Sequence, residues 1–139
     1  DLPRAIAAYG PRTRGEDSVV PCFILYEGRP IGYVQYYPVS KSEAAWLEPS
    51  MPEGVYGIDL FIGEPDLWNK GIGTSVIRLL LSYLFDSLGV AQAVIDPRVS
   101  NYRAVRCYEK CGFTKVRLLP KAEFHEGEYH DCWLMAIQN

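Results

Sequence analysis

Trp68-Asn69-Lys70-Gly71-Ile72-Gly73-Thr74 stands between an apolar run, Val55 to Ile62, and a segment of helical periodicity that starts at Ile72. A glycine-rich turn that opens a helix aims several unpaired N–H groups at one spot. Backed by the helix dipole, such a spot holds a pyrophosphate. A P-loop requires Lys after its last glycine, whereas Gly73 is followed by Thr74 and Ser75, and a dinucleotide fingerprint requires a glycine where Val76 stands. Two glycines alone leave an ordinary glycine-opened helix as an equal reading. The strand, turn and helix around them nevertheless place the chain in the α/β class.

Working outward, Thr74, Arg78, Ser82 and Asp86 recur as a polar stripe, and Ile72, Val76, Leu79, Leu80, Tyr83 and Leu84 make the opposite face. Gly89 is the expected stop. Ala91 to Ile95 reads as a short buried strand closed by Asp96-Pro97. Ser100 or Asn101 caps a second helix running to about Cys111, with Ala104, Tyr108 and Cys111 on one side and Gly112 as its end. Phe113 to Leu118 and Cys132 to Ile137 are two closing strands, joined by an acidic loop from Glu123 to Asp131.

Upstream, Val19 to Tyr26 and Ile31 to Tyr37 form a hairpin through Glu27-Gly28-Arg29-Pro30. Residues 38–53, with Pro38, Pro49, Pro52 and Trp46, read as loop. Leu2, Ile6 and Tyr9 give a short helical spacing that Gly10-Pro11 stops. Val55 to Ile62 is a strand that Gly57 interrupts and in which Asp59 sits among apolar residues.

The chain has 139 residues, one domain's worth spanning 1–139, with 14 Lys and Arg against 17 Asp and Glu and a net charge of −3. Its 48% apolar and 13% aromatic content excludes intrinsic disorder. No apolar run is long enough to span a bilayer, and no basic block exists to displace the counterions of a nucleic acid. An acidic excess gathered in a cleft would suit a cationic small molecule. Cys22, Cys107, Cys111 and Cys132 lack zinc-finger spacing, so they read as reduced thiols and no metal is expected, even with His125 and His130 downstream. The chain opens at Asp1 without a signal-peptide core, so a cytoplasmic protein, trimmed or partial, is the expectation.

The turn resembles the coenzyme A pyrophosphate loop of the GCN5-related N-acetyltransferases, Gln/Arg-x-x-Gly-x-Gly/Ala, with Trp68 where Gln or Arg is usual. Asn101-Tyr102-Arg103-Ala104-Val105-Arg106-Cys107-Tyr108-Glu109-Lys110-Cys111-Gly112-Phe113 is similar to a second element of that family, Asn-x-x-Ala-x-x-x-Tyr-x-x-x-Gly-Phe. Within the family, Ile31-Gly32-Tyr33-Val34-Gln35, Tyr56 to Pro65, Ile95-Asp96-Pro97, His125-Glu126-Gly127 and Asp131 to Met135 most resemble the aminoglycoside 6′-N-acetyltransferases. The resemblance covers about residues 19–139. It implies a mixed, mostly antiparallel sheet flanked by helices, whose first strand and helix are missing here. The Val19–Tyr26 edge would then be open to a second copy, giving a homodimer, or to part of a longer parent.

The resemblance also implies acetyl transfer from acetyl-CoA to the 6′-amine of an aminoglycoside. The pyrophosphate and pantetheine would meet Trp68, Asn69, Lys70, Gly71, Ile72, Gly73, Thr74, Asn101 and Ala104. An ammonium cannot attack a thioester, so a base must first take its proton. Asp59, on the strand entering the turn, is that base, and Tyr108 is the acid for the departing thiolate. A backbone N–H near Phe61 or Ile62 would hold the developing oxyanion. Asp96, at the exit of the next strand, adds a second carboxylate for a polycation, a reading favoured over its competitor, an Asx turn before Pro97. Gln35, Trp46 and Asp131 are further substrate candidates. The glutamates Glu123, Glu126 and Glu128 read as a solvated loop. Cys107 is not a nucleophile, having no paired base. The rival readings are the same chemistry on a hydroxylated lysine or siderophore precursor, and an acyl-CoA-binding homologue without transfer.

Overall fold

In the computed structural model, the described residues are 5–8, 19–40, 54–63 and 71–139. In chain order, β1 is Ala5–Ala8, β2 Val20–Tyr26, β3 Arg29–Pro38 and β4 Val55–Ile62. They are followed by α1, Ile72–Ser82, which runs on as a π-helical turn over Tyr83–Ser87, and by β5, Gln92–Ile95. The last elements are α2, Tyr102–Lys110, and the strands β6, Thr114–His125, and β7, Glu128–Gln138. The strands make one sheet in the order β1-β2-β3-β4-β5-β7-β6. Among the described strands, only the β4–β5 pair is parallel.

Period-2 alternation splits the sheet between two cores. Ile24, Val34, Ile58, Ala93 and Met135 pack with Ile72, Val76, Ile77, Leu80 and Leu84 of the α1 segment and with Val105 and Tyr108 of α2. On the other face a smaller core gathers Val55, Val94, Leu119, Cys132, Leu134 and Ala136. Among the described residues, no helix is long and apolar enough to cross a membrane.

Four expectations need correction. Ala5–Ala8 is a strand paired antiparallel to β2, from Ala5↔Leu25 to Ala8↔Cys22. The first strand is therefore present, and the β2 edge is covered at those positions. A helix nucleus this short is unfavourable, whereas the open ladder edge of β2 supplies ready partners.

The buried face of the first helix is turned toward Ile77 and Leu81, leaving Leu79 and Tyr83 outside at 51% and 44% exposure. The cause is α2, which docks on part of the polar stripe. Thr74 Oγ1 lies 3.5 Å from Cys107 Sγ, and Arg78 donates to the Lys110 carbonyl at 3.0 Å.

The expected acidic loop is instead the end of a long hairpin. β6 and β7 pair out to His125↔Glu128, and a register shift between Leu119 and Glu123 absorbs extra residues. The loop expected over 38–53 begins only after Pro38, the last residue of β3. Residues 41–53, with Trp46, lie outside the described residues, as do 1–4, 9–18 and 64–70.

Candidate functional site

β4 and β5 pair over three residues only, Val55↔Gln92, Tyr56↔Ala93 and Gly57↔Val94. Beyond them each strand follows its other neighbour. β4 stays in register with β3 from Ile58↔Tyr36 to Ile62↔Gly32. After Ile95 the chain stays with β7, because Trp133 N donates to the Pro97 carbonyl at 2.9 Å and Val99 N to the Asp131 carbonyl at 2.9 Å. A wedge opens between two parallel strands at their C-terminal ends, where α/β sheets form binding crevices.

Asp59 stands two residues past the last β4–β5 pair. Gln35, its register partner on β3, donates from Nε2 to Asp59 Oδ2 at 2.8 Å. That bond fixes the carboxylate on the face away from the helices. Gly57 precedes it on the same face, because a Cβ there would meet the Tyr37 ring at 2.5 Å. Phe61 follows, 55% exposed, with its ring 5.7 Å from that of Tyr33.

Asp96 enters the same neighbourhood from the end of β5. It keeps solvent-exposed surface, yet protein surrounds it on several sides. Desolvation first, then the like charges of Asp59 and Glu123, push its carboxyl up to about 6. Tyr108 rises into the region from α2, buried and packed against Phe113 at a ring distance of 6.1 Å. Burial holds its phenol well above the usual tyrosine range, reinforced by the nearby acidic groups of Cys107, Asp59 and Asp96. Asp59, Asp96 and Tyr108 thus belong to one electrostatic neighbourhood although they come from three elements.

The glycine turn closes the other end. Gly71 caps α1 at φ +78°, a left-handed conformation that only glycine adopts without strain, and its carbonyl accepts the first helical bond from Ser75 N at 3.0 Å. The opening N–H groups of a helix have no intrahelical acceptor. No acidic side chain occupies this first turn to compete for them. At Gly73 a Cβ would lie 3.4 Å from Cys107 Sγ and 3.7 Å from Leu60, so the turn sits close on α2 and on the end of β4. A wedge beside β4 that leads to exposed helix N–H groups fits the acyl, pantetheine and pyrophosphate parts of acetyl-CoA in chain order.

The remaining expected residues are placed as follows. Ile72 is buried under the sheet, so only its backbone faces the turn. Asn101 caps α2, its Oδ1 accepting from Ala104 N at 3.2 Å. Asp131 accepts from Lys121 N at 2.9 Å and is tied to the β6 irregularity. Trp46, Trp68, Asn69 and Lys70 lie outside the described residues. Glu123, read from the sequence as part of a solvated loop, belongs beside the site. It acts on Asp96 and pairs with Arg98 at 3.6 Å. Among the described residues, no group of three or more His, Cys, Asp or Glu side chains gathers to hold a metal ion.

Residues 1–120 match the family model described as acetyltransferase (GNAT) domain. The aminoglycoside N(6′)-acetyltransferase type 1 of Klebsiella pneumoniae is 39% identical over 107 residues, 77% of this chain and 53% of that protein. A kanamycin resistance protein of Rhizobium radiobacter is 41% identical over 70 residues, 50% of this chain and 65% of that protein. The chain thus spans about half the length of the first of these relatives. The crystal structure of aminoglycoside acetyltransferase AAC(6′)-Ib in complex with coenzyme A and kanamycin superposes with a TM-score of 0.73 at 33% identity, covering 89% of this chain and 69% of that one. Fold, wedge and family match agree, and the chain belongs to the GNAT acetyltransferase family.

Proposed function

We propose that the chain transfers the acetyl group of acetyl-CoA to the 6′-amine of an aminoglycoside, by direct attack in a ternary complex, and so confers resistance. The observation that carries this reading is the convergence of Asp59, Asp96 and Tyr108 where β4 and β5 part. Two carboxylates hold a polyammonium acceptor, and their crowding makes the site favour cations over neutral ligands. Asp59, oriented by Gln35, accepts the proton of the attacking ammonium.

Acetyl-CoA supplies an activated thioester. Backbone N–H groups at Gly71, Ile72, Gly73 and Thr74 bind its pyrophosphate, and those near Phe61 and Ile62 face its carbonyl oxygen. Asn101 and Ala104 contact the pantetheine arm, and Trp68, Asn69 and Lys70 are assigned to the same cofactor-binding set by the resemblance alone. Tyr108 stays a neutral phenol at working pH and can give its proton to the thiolate. Trp46 and Asp131 extend the acceptor site, and no metal is required. The carboxylate pair favours a polyamine acceptor over a hydroxylated lysine.

The test is thiol release from acetyl-CoA with kanamycin, with an acylated lysine precursor and with no acceptor, for the native chain and Asp59→Asn. Release that depends on kanamycin and is lost in the variant is the expected result. Release with the lysine precursor alone would move the assignment to that substrate. Coenzyme A binding without release from any acceptor would leave a non-catalytic binding protein.

A further inference from the structure

Two thiols stand against the first turn of α1 and take no part in the transfer proposed above. Cys107 and Cys111 lie one turn apart at the end of α2, both half-buried. Thr74 touches both. Its hydroxyl is 3.5 Å from Cys107 Sγ, and its carbonyl accepts from Cys111 Sγ at 3.6 Å. The two thiols thus converge on one residue of the glycine turn from successive turns of one helix.

The neighbouring Cys111 thiol, then the Thr74 hydroxyl and the positive charges of Lys110 and Arg78, outweigh burial and bring Cys107 down to about 7. A substantial share of it is thiolate, the reactive form, at neutral pH. The adjacent Cys107 and burial hold Cys111 above the usual thiol range. Cys22 and Cys132 are buried, and burial raises both.

Helix geometry selects what this pair can bind. Residues four apart on a helix hold their Cβ atoms about 5–6 Å apart. A disulfide needs about 3.5–4.5 Å. A direct S–S bond would therefore unwind the last turn of α2. An atom inserted between the sulfurs and bonded to both needs no such shortening, because it adds two bond lengths to the bridge and both sulfurs already converge on Thr74.

We propose that Cys107 and Cys111 form a two-thiolate site for a soft, thiophilic centre of the trivalent arsenical class. In the reaction two As–S bonds form, two As–O bonds break, and the thiol protons leave with those oxygens as water. No electron is transferred. The site shares atoms with the glycine turn, since a Cβ on Gly73 would already lie 3.4 Å from Cys107 Sγ. Bridging the sulfurs takes Cys111 off the Thr74 carbonyl and disturbs the first turn of α1. Arsenical binding stands independently of the proposed function, whereas its effect on coenzyme A rests on it.

The test titrates the full chain with phenylarsine oxide in excess glutathione, reading intact mass and free thiols, then coenzyme A affinity. The expected result is a single adduct that consumes a pair of thiols, survives the monothiol and is released by a 1,2-dithiol. Cys107→Ser and Cys111→Ala should each lose it, and Cys22→Ala should keep it. Coenzyme A affinity should fall about tenfold or more in the native adduct, a change of about 1.4 kcal/mol or more, and should not respond to the arsenical in Cys111→Ala. A glutathione-resistant adduct in Cys111→Ala, or none in the native chain, overturns the proposal. An adduct with unchanged coenzyme A affinity overturns only the link to the turn. A native chain that binds arsenical but no coenzyme A overturns the proposed function and leaves the dithiol site standing.

Discussion

The two ends of the β4–β5 pair show opposite solutions to one problem. At the closed end, Val55 and Val94 are buried in the smaller core and Ala93 in the larger, and the ladder is complete between the strands. At the open end the same strands present Asp59 and Asp96, two carboxylates near enough to raise the pKa of one of them. A sheet selected for stability alone would pair its strands throughout and keep like charges apart. Packing governs the closed end. At the open end a structural cost is retained, and such costs concentrate at functional sites.

Adjacent residues on β4 put the sharpest test on that contrast. Asp59→Asn should lower the rate of acetyl transfer by about 10²–10⁴-fold, the range for loss of a positioned base, with the thermal midpoint nearly unchanged. Ile58 faces the other way and is fully buried. Ile58→Ala should cost about 2–5 kcal/mol in denaturant unfolding, as large-to-small core substitutions do, while activity per folded molecule stays within about tenfold of native. Equal loss of stability in both variants would break the division between a packed face and a reacting face.

Tyr108 belongs to both regions, because its ring packs in the core while its hydroxyl is felt by the site carboxylates. Tyr108→Phe keeps the ring. Since thiolate is a good leaving group even without a donor, kcat should fall only about tenfold, below the usual range for a general acid. Coenzyme A affinity should hold. A kcat equal to native would return Tyr108 to packing alone.

Much of this contrast was legible in the sequence. The run Val55 to Ile62 is β4 residue for residue, and Gly71 opens α1 as the turn chemistry required. Asn101 caps α2 through its side chain, as an Asn before a helix should. What failed was polar sequence in extended structure. Glu27-Gly28 and Glu126-Gly127 adopt nearly the same turn, with φ of 51° and 79° in one and 51° and 81° in the other. The first was read as a hairpin because apolar strands flank it. The second was hidden because Glu123, His125, Glu128 and His130 have weak strand preference on their own. Cross-strand pairing overrides that preference, and with it Glu123 reaches Asp96. The wedge was not legible either. It arises because β4 follows β3 while residues 97–99 follow β7, a competition between partners far apart in the chain.

The smallest expected effect comes from Asp96 and is read through protons. Its folded pKa of about 6 lies above the ordinary 3.8, so folding favours the protonated carboxyl. The sign follows from linkage: this contribution to stability is present below the ordinary value and is lost as pH rises to about 6. Asp96→Asn should therefore be more stable than the native chain at neutral pH, with the difference closing as pH falls toward 4. Acceptor binding has the opposite demand, because a polyammonium ligand prefers the ionised carboxylate and lowers its pKa. Near pH 6 the binding of kanamycin should release protons, seen as a binding enthalpy that changes with the ionisation heat of the buffer, and KM for the acceptor should rise as pH falls through that value. Buffer-independent enthalpy would detach Asp96 from the acceptor, and its raised pKa would then record only crowding at the mouth of the wedge.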